Sequence, residues 1–267
     1  MYYSILSGTQ KIAYRLNQPL NGLPPLVLLH GFCEDHTVWD QWPVEAPGMS
    51  VLQIDLPGFG QSDPPASPGM DQYAHAVKAV LDALNISRCV LVGHSMGGYS
   101  ALAFAGLYPE RLCGMGLFHS HPFADTGEQQ ENRRRGIEMI DGGKKDLYVA
   151  QLFPKLFSVE YAEKMPETLN ALIQNGQLQS PEGIKLALAG MQQRPDSSEV
   201  LKRLPVPVLI IAGRHDALIP YAGLMEVATL PTQCDLHLLT GAAHMGMFEA
   251  REMTAQMTRR FWQRCVH

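Results

Sequence analysis

Six short, almost continuously apolar runs recur along this chain of 267 residues. Runs of this length suit strands that are buried on both faces of a parallel sheet. They occupy residues 26–29, 50–54, 89–92, 113–118, 206–212 and 235–239. Segments with helical spacing lie between several of them, at residues 71–84, 96–107 and 220–229, with a further one at 248–265. Because strands and helices alternate, the sequence predicts an α/β fold with a mostly parallel sheet.

This alternation changes at two places. Residues 2–6 and 11–16 are separated by a turn sequence, so they predict a hairpin of edge strands at the N-terminus. Between residues 121 and 196 no strand is expected, and three segments have helical spacing, at 136–150, 160–175 and 181–193. We therefore predict one core domain, formed by residues 1–120 and 197–267, with a helical cap inserted at residues 121–196.

Composition narrows the class of protein. A hydrophobic content of 46% can form a large core, and this length fits a single α/β domain. The net charge of −5 and the lack of a long basic stripe argue against a nucleic-acid partner. Five scattered cysteines without C-x-x-C spacing favour a reducing compartment, and neither a secretory leader nor a membrane span is apparent. We expect a cytoplasmic monomer or homodimer that does not bind membranes.

A G-x-S-x-G motif at residues 93–97 is centred on Ser95. Such a motif also occurs in flexible loops, but here it follows a predicted buried strand and precedes a predicted helix. A sharp turn between strand and helix exposes the serine hydroxyl, and it needs small residues two positions on either side. Gly93 and Gly97 meet that need, so we predict that Ser95 is a nucleophile.

A serine hydroxyl needs a base within hydrogen-bond reach, and the base needs a third group to orient it. Asp216 follows the apolar run at 206–212, and His244 follows the run at 235–239. The carboxyl ends of parallel strands meet at one edge of the sheet, where sites gather. An aspartate there is also commonly a helix cap, and a loop histidine is commonly only solvated. Taken together with Ser95, they predict His244 as general base and Asp216 as the acid that orients it.

Acyl transfer also needs hydrogen-bond donors for the developing oxyanion. The sequence His-Gly-Phe at residues 30–32 follows the first buried strand. We predict that the backbone N–H groups of Phe32 and of Met96, the residue after the nucleophile, form the oxyanion hole.

These motifs together resemble the α/β-hydrolase fold superfamily over nearly the whole chain. The resemblance is carried by HGF at 30–32, DLPGFGQS at 55–62, GHSMGG at 93–98, GRHD at 213–216 and GAAH at 241–244. The order Ser95, Asp216, His244 is the order of that superfamily. The resemblance implies an eight-stranded, mostly parallel sheet and a site beneath a helical cap that follows the sixth strand. A serine at the elbow argues against epoxide hydrolases and haloalkane dehalogenases, which attack with an aspartate there.

We therefore expect a serine hydrolase that cleaves carboxylic esters of small to medium, partly hydrophobic substrates through an acyl-enzyme, without a metal or organic cofactor. An enol-lactonase, a carbon-carbon bond hydrolase or a lyase of the same fold is the alternative enzyme. A ligand receptor that keeps the fold without significant turnover is the alternative from another class.

Several residues near the predicted cap have more than one interpretation. His119, His121 and Phe123 follow the sixth strand and are candidates for the substrate pocket, whereas a metal site is disfavoured because the sequence offers no third ligand nearby. Asp125 lies where some members of the superfamily place the triad acid, but Asp216 is preferred. The arginine triplet at residues 133–135 could grip an anionic substrate, although a solvated helix face is the favoured interpretation.

Overall fold

The computed structural model describes residues 2–267, and its centre is an eight-stranded sheet in the order β1-β2-β4-β3-β5-β6-β7-β8. The strands are β1 Tyr2–Ser7, β2 Gln10–Leu16, β3 Leu26–Leu29, β4 Val51–Ile54, β5 Cys89–His94, β6 Leu112–Phe118, β7 Val208–Gly213 and β8 Cys234–Leu239. Strand β2 pairs antiparallel with β1 and β4, and all other neighbours are parallel. The predicted fold class, an eight-stranded and mostly parallel sheet flanked by helices, is confirmed.

Helices cover the sheet and fill the long connection between β6 and β7. They are α1 Met70–Ala83, α2 Met96–Leu107, α3 Gly127–Asp141, α4 Lys145–Leu152, α5 Val159–Lys164, α6 Pro166–Leu178, α7 Pro181–Gln193, α8 Ser198–Arg203, α9 Leu224–Ala228, α10 Gly246–Glu249 and α11 Arg251–Val266. Helices α3 to α8 belong to the β6–β7 connection, which includes the segment predicted as a cap. Within residues 2–267, no helix combines the length and the apolar character that crossing a bilayer requires.

The helices between β6 and β7 are shorter and more numerous than the sequence predicted. The segment expected as one helix at 136–150 is divided between α3 and α4, because α3 begins after the reciprocal cap of Thr126 and Gln129 and ends before Gly143, whose φ is 74°. The helix expected at 160–175 is interrupted at Met165, which ends α5 and precedes Pro166 at the start of α6.

The centre of the sheet is buried on both faces. Every residue of β3, β5, β6 and β7 is buried, whereas β1 at the edge has exposed residues along its length. These four strands run parallel and end at one edge of the sheet. The loops that follow β3, β5, β7 and β8 therefore lie close together, although they are far apart in the sequence.

Candidate active site

Ser95 occupies a strained backbone position between β5 and α2. Its φ of 50° and ψ of −115° lie outside the regions that residues with a side chain usually adopt. Hydrogen bonds of the Ser95 main chain hold this conformation. The Ser95 N–H donates to the Phe118 carbonyl at 2.9 Å, and the Ser95 carbonyl accepts from Gly98 N–H and from the Ser120 hydroxyl, both at 2.9 Å. The turn thus fixes the backbone position from which the Ser95 side chain extends.

Gly93 and Gly97 permit this turn because no side chain fits at either position. A Cβ atom on Gly93 would lie 2.1 Å from the Gly97 carbonyl oxygen. A Cβ atom on Gly97 would lie 2.5 Å from the Leu29 carbonyl oxygen, on the neighbouring strand β3. The crowding anticipated around Ser95 is therefore backbone against backbone, which no side-chain rotation could relieve.

His244 and Asp216 form a buried pair beside Ser95. The imidazole Nδ1 of His244 lies 2.7 Å from Asp216 Oδ2. The other ring nitrogen, Nε2, is buried and has no hydrogen-bond partner in residues 2–267, the Ser95 hydroxyl included. Ser95 and His244 line the same cavity. The unpaired Nε2 can therefore take a proton from a group that enters this cavity.

The Asp216 carboxylate accepts four hydrogen bonds. Oδ1 accepts from the backbone N–H groups of Leu218 and Ile219 at 2.9 Å each, and Oδ2 faces His244 and His119, the latter at 3.2 Å. Burial alone would raise the pKa of Asp216, but the two imidazoles hold that pKa well below its ordinary value. Asp216 therefore stays ionised and fixes the orientation of His244.

His119 is a second histidine on the same carboxylate. It follows β6 with a φ of 50°, so it does not continue the strand, and its Nε2 lies against Gly246, where a Cβ would be 2.5 Å away. Burial lowers the pKa of His119 to about 4, so at neutral pH the ring is uncharged and donates Nδ1–H to Asp216. His119, Asp216 and His244 could offer ligand atoms to a metal ion within 4.8 Å of one another. Both Nδ1 atoms face the carboxylate, and both Nε2 atoms are buried without a hydrogen-bond partner in the described chain.

Removing the His119 donor is expected to move the acid limb of the pH profile of kcat/KM to higher pH. A carboxylate with one donor fewer favours a protonated imidazole beside it. His119→Leu loses the donor, whereas His119→Asn keeps an N–H near the position of Nδ1 and tolerates the positive φ. A profile that shifts in the leucine variant and stays in place in the asparagine variant would support this role. Identical shifts in both would contradict it.

The predicted oxyanion donors face no protein acceptor. The backbone N–H groups of Phe32 and Met96 make no hydrogen bond within the described chain, and Phe32 lines the cavity together with Ser95. The preceding residue, Gly31, donates its N–H to Glu34 Oε2 at 2.6 Å, which fixes the loop after β3. Both N–H groups therefore lack a protein partner, and Phe32 lines the cavity, whereas Met96 directly follows Ser95 and is not among the lining residues.

Sequence reasoning missed Glu34, which joins three loops of the site. The buried Glu34 carboxylate lies 3.1 Å from His94 Nδ1, and His94 Nε2 lies 3.0 Å from the His244 carbonyl oxygen. Burial alone would raise the pKa of Glu34 and lower the pKa of His94. The attraction between the two side chains outweighs burial, so the pKa of Glu34 is lowered and the pKa of His94 is raised. An acid three residues after Gly31 gives no sequence signal, because its partner is 60 residues away.

A cavity of about 380 Å³ opens beside Ser95. Its wall comes from the loops of the sheet and from helices of the β6–β7 connection, with both apolar and polar side chains. The lining includes Phe32 and Tyr148 but none of His119, His121 and Phe123. Those three follow the end of β6, where His119 turns toward Asp216 and the His121 ring packs between Tyr99 and Phe123.

Asp125 has partners other than the catalytic candidates. Its carboxylate binds Arg194 at 2.5 Å and Arg133 Nε at 3.2 Å. The guanidinium of Arg194 lies over the ring of Tyr99, 3.8 Å from its centre. His244 is oriented by Asp216, not by Asp125.

Known proteins resemble this chain over nearly its full length. The family model described as the alpha/beta hydrolase fold matches residues 24–175. A relative from Paraburkholderia phymatum named 2-hydroxy-6-oxononadienedioate/2-hydroxy-6-oxononatrienedioate hydrolase is 33% identical, with 96% of this chain and 93% of the relative covered. The structure of a thermophilic esterase from Thermogutta terrifontis, solved with malate bound, has a TM-score of 0.91 at 29% identity, with all of both chains covered. An enol-lactonase structure from Burkholderia xenovorans has the same fold, with a TM-score of 0.88 at 21% identity over 98% of this chain and all of the other.

Proposed function

The chain belongs to the α/β-hydrolase family, and we propose that it is a serine hydrolase that cleaves carboxylic esters through an acyl-enzyme. One observation carries the proposal. The buried Nε2 of His244 has no partner in residues 2–267, Nδ1 of the same ring is held by an ionised Asp216, and His244 lines the same cavity as Ser95. General-base activation of a serine needs an oriented imidazole with an open ring nitrogen, and the hydrogen bond from the Ser95 hydroxyl to this nitrogen has to form when substrate binds.

Acylation uses Ser95, His244, Asp216 and the two oxyanion donors. The Ser95 hydroxyl oxygen attacks the ester carbonyl carbon while its proton passes to Nε2 of His244. The negative charge on the carbonyl oxygen is stabilised by the N–H groups of Phe32 and Met96. When the tetrahedral intermediate collapses, the carbon–oxygen bond to the alcohol breaks, and His244 gives its proton to the departing alkoxide. Asp216 stabilises the imidazolium throughout.

Deacylation repeats the sequence with water. His244 takes a proton from a water molecule as that water attacks the acyl carbon, and it returns the proton to the Ser95 oxygen as the ester bond to the serine breaks. The products are a carboxylic acid and the free enzyme. The similarity to the Thermogutta terrifontis esterase over both complete chains supports an ester substrate.

A second candidate function is carbon-carbon bond hydrolysis, and the name of the Paraburkholderia phymatum relative favours it. The same residues would serve it, with the proton delivered to carbon instead of to an alcohol oxygen. The two functions differ in their substrates more than in their catalytic groups.

Parallel kinetics with two substrate types test this choice. We expect kcat/KM for a simple aryl ester to exceed that for a vinylogous 1,5-diketone, with both activities lost in Ser95→Ala. Faster cleavage of the diketone would replace the proposal with the second candidate. Tight binding of either compound without turnover would indicate a receptor.

A further inference from the structure

The lining of the cavity beside Ser95 contains more positive than negative side chains. Three cationic side chains line the cavity, from Arg133, Arg135 and Lys155, and the one acidic side chain in the lining of the described chain is Glu34. Glu34 is already paired with His94. The charge around a ligand therefore depends on how far the three cations are neutralised by neighbours outside the cavity.

Arg133 shares its acidic partner with a second guanidinium. Asp125 accepts from Arg133 Nε, but it also binds the buried Arg194, so one negative charge faces two positive ones. Arg194 cannot turn away, because it also donates to the carbonyl oxygens of Met191 at 2.8 Å and Phe123 at 3.0 Å. The cluster of Asp125, Arg133 and Arg194 therefore keeps one excess positive charge, and Arg133 places part of it at the cavity.

The neighbouring histidine does not change this balance. Burial, and then the guanidinium of Arg194, lowers the pKa of His121 to about 4. His121 is therefore neutral at physiological pH and contributes neither a counter-ion nor a further charge.

Lys155 is a second cation without a counter-ion. It lies in the 3-10 helix Phe153–Leu156, is exposed, and forms no ion pair among residues 2–267. The next residue, Leu156, also lines the cavity and accepts the backbone N–H of His244 at 2.9 Å. Lys155 is thus attached to the element that contacts the loop of the predicted base.

The arginine triplet is not the uniformly solvated helix face that the sequence favoured. Arg134 and Arg135 have side chains that are 53% and 66% exposed, and both pair with Glu131 on their own helix. Arg133 is 23% exposed and points to Asp125 and the cavity. Arg133 and Lys155 therefore remain as the two cavity cations that are not matched by an acid of their own.

The guanidinium of Arg194 packs on α2, the helix that directly follows the nucleophile. Tyr99 is one helical turn after Ser95 and lines the cavity, and the guanidinium of Arg194 stacks over its ring. The whole chain has a net charge of −5, so this local excess of positive charge opposes the average field of the molecule.

We propose that Arg133 and Lys155 bind a carboxylate on the substrate, so that this enzyme prefers acidic esters to neutral ones. The inference rests on the proposed ester hydrolysis and adds the class of substrate to it. Guanidinium and ammonium groups form charge-assisted hydrogen bonds with a carboxylate, and these are stronger than bonds between neutral groups. A partly enclosed cavity screens such contacts less than open solvent does.

Matched ester pairs measure this preference. The mono-4-nitrophenyl esters of adipic, pimelic and suberic acid are compared with 4-nitrophenyl hexanoate, heptanoate and octanoate, which replace the terminal carboxylate with a methyl group. A carboxylate on the alcohol side is tested with the hexanoyl esters of 4-hydroxybenzoic acid and 4-hydroxybenzamide. In at least one pair we expect kcat/KM to be about tenfold or more higher for the acidic ester, and the preference to shrink at high salt.

Three substitutions identify the residues responsible. Arg133→Gln and Lys155→Gln are each expected to lower the ratio of acidic to neutral kcat/KM by about tenfold, and Lys155→Glu by more. Lys155 is exposed, and Asp125 keeps Arg194 when Arg133 is replaced, so these variants should fold. The control is Lys144→Gln, which removes an exposed charge just before α4 and outside the cavity lining. Its ratio should equal that of the wild type.

The results distinguish a failure of the proposed carboxylate site from a failure of the proposed ester hydrolysis. If no pair shows a preference for the acidic ester, or if Arg133→Gln, Lys155→Gln and Lys144→Gln all leave the ratio unchanged, the carboxylate site is wrong while ester hydrolysis stands. If none of the esters is hydrolysed in a manner that depends on Ser95, the proposed function itself fails.

Discussion

Replacement of Ser95 with alanine is expected to lower kcat for ester hydrolysis by about 10⁴-fold or more while the protein stays folded. The hydroxyl is the only group at this turn that can form an acyl-enzyme, and the backbone that presents it is held by hydrogen bonds of main-chain atoms and of Ser120. Initial rates with an activated aryl ester give the loss, and circular dichroism with thermal unfolding verifies the fold.

Ser100→Ala is the matched control for this prediction. Ser100 is a buried serine on α2, the helix that follows Ser95, but its hydroxyl donates to the Met96 carbonyl at 3.1 Å, and the residue does not line the cavity. We expect its activity to stay within about twofold of the wild type. If Ser95→Ala were as active as Ser100→Ala, another residue or a directly activated water would have to carry the reaction.

Asp216→Asn is expected to reduce kcat by about 10⁴-fold, because the amide reverses the polarity of one contact. The Asn oxygen would remain with the N–H groups of Leu218 and Ile219, which donate to Oδ1. The NH₂ group would then face the Nδ1 atoms of His244 and His119. His244 would have to accept at Nδ1 and carry its proton on Nε2, where it could not receive one from Ser95.

The control for the aspartate variant is Asp235→Asn. Asp235 forms a surface ion pair with Arg264, so its loss should change stability and activity little. The low kcat of Asp216→Asn can be measured with stopped assays over a range of enzyme concentrations. A rate within about tenfold of the wild type would show that Asp216 is not the group that orients the base.

The fold was predictable because its central strands can be recognised from their own residues, without knowledge of their neighbours. Strands buried on both faces must be apolar at every position, and β5 and β7 are recognisable from that alone. The turn around Ser95 was predictable for a similar reason, since Gly93 and Gly97 are required by backbone contacts within a few residues or on the adjacent strand. The helix boundaries in the β6–β7 connection were harder to predict. The helix ends near Gly143 and at Met165 lie inside segments whose helical spacing is otherwise continuous.

The parts of the site that sequence reasoning missed depend on contacts between distant loops. Glu34 and His94 are in contact although they are 60 residues apart in the sequence, and His119 and Asp216 are in contact although they are 97 residues apart. Neither pair has a spacing that a sequence pattern could predict. The same holds for Arg194, whose role became visible only when the fold placed it between Tyr99 and Asp125.

Peptide mapping after reaction with a fluorophosphonate shows whether Ser95 is an activated nucleophile, because the probe labels a serine only when a base activates it in the folded protein. We expect one phosphonylated peptide, with the modification on Ser95, no labelling of Ser95→Ala or of heat-unfolded protein, and strongly slowed labelling of His244→Ala. A folded wild-type protein that stays unlabelled, or that carries the label on another residue, would contradict it.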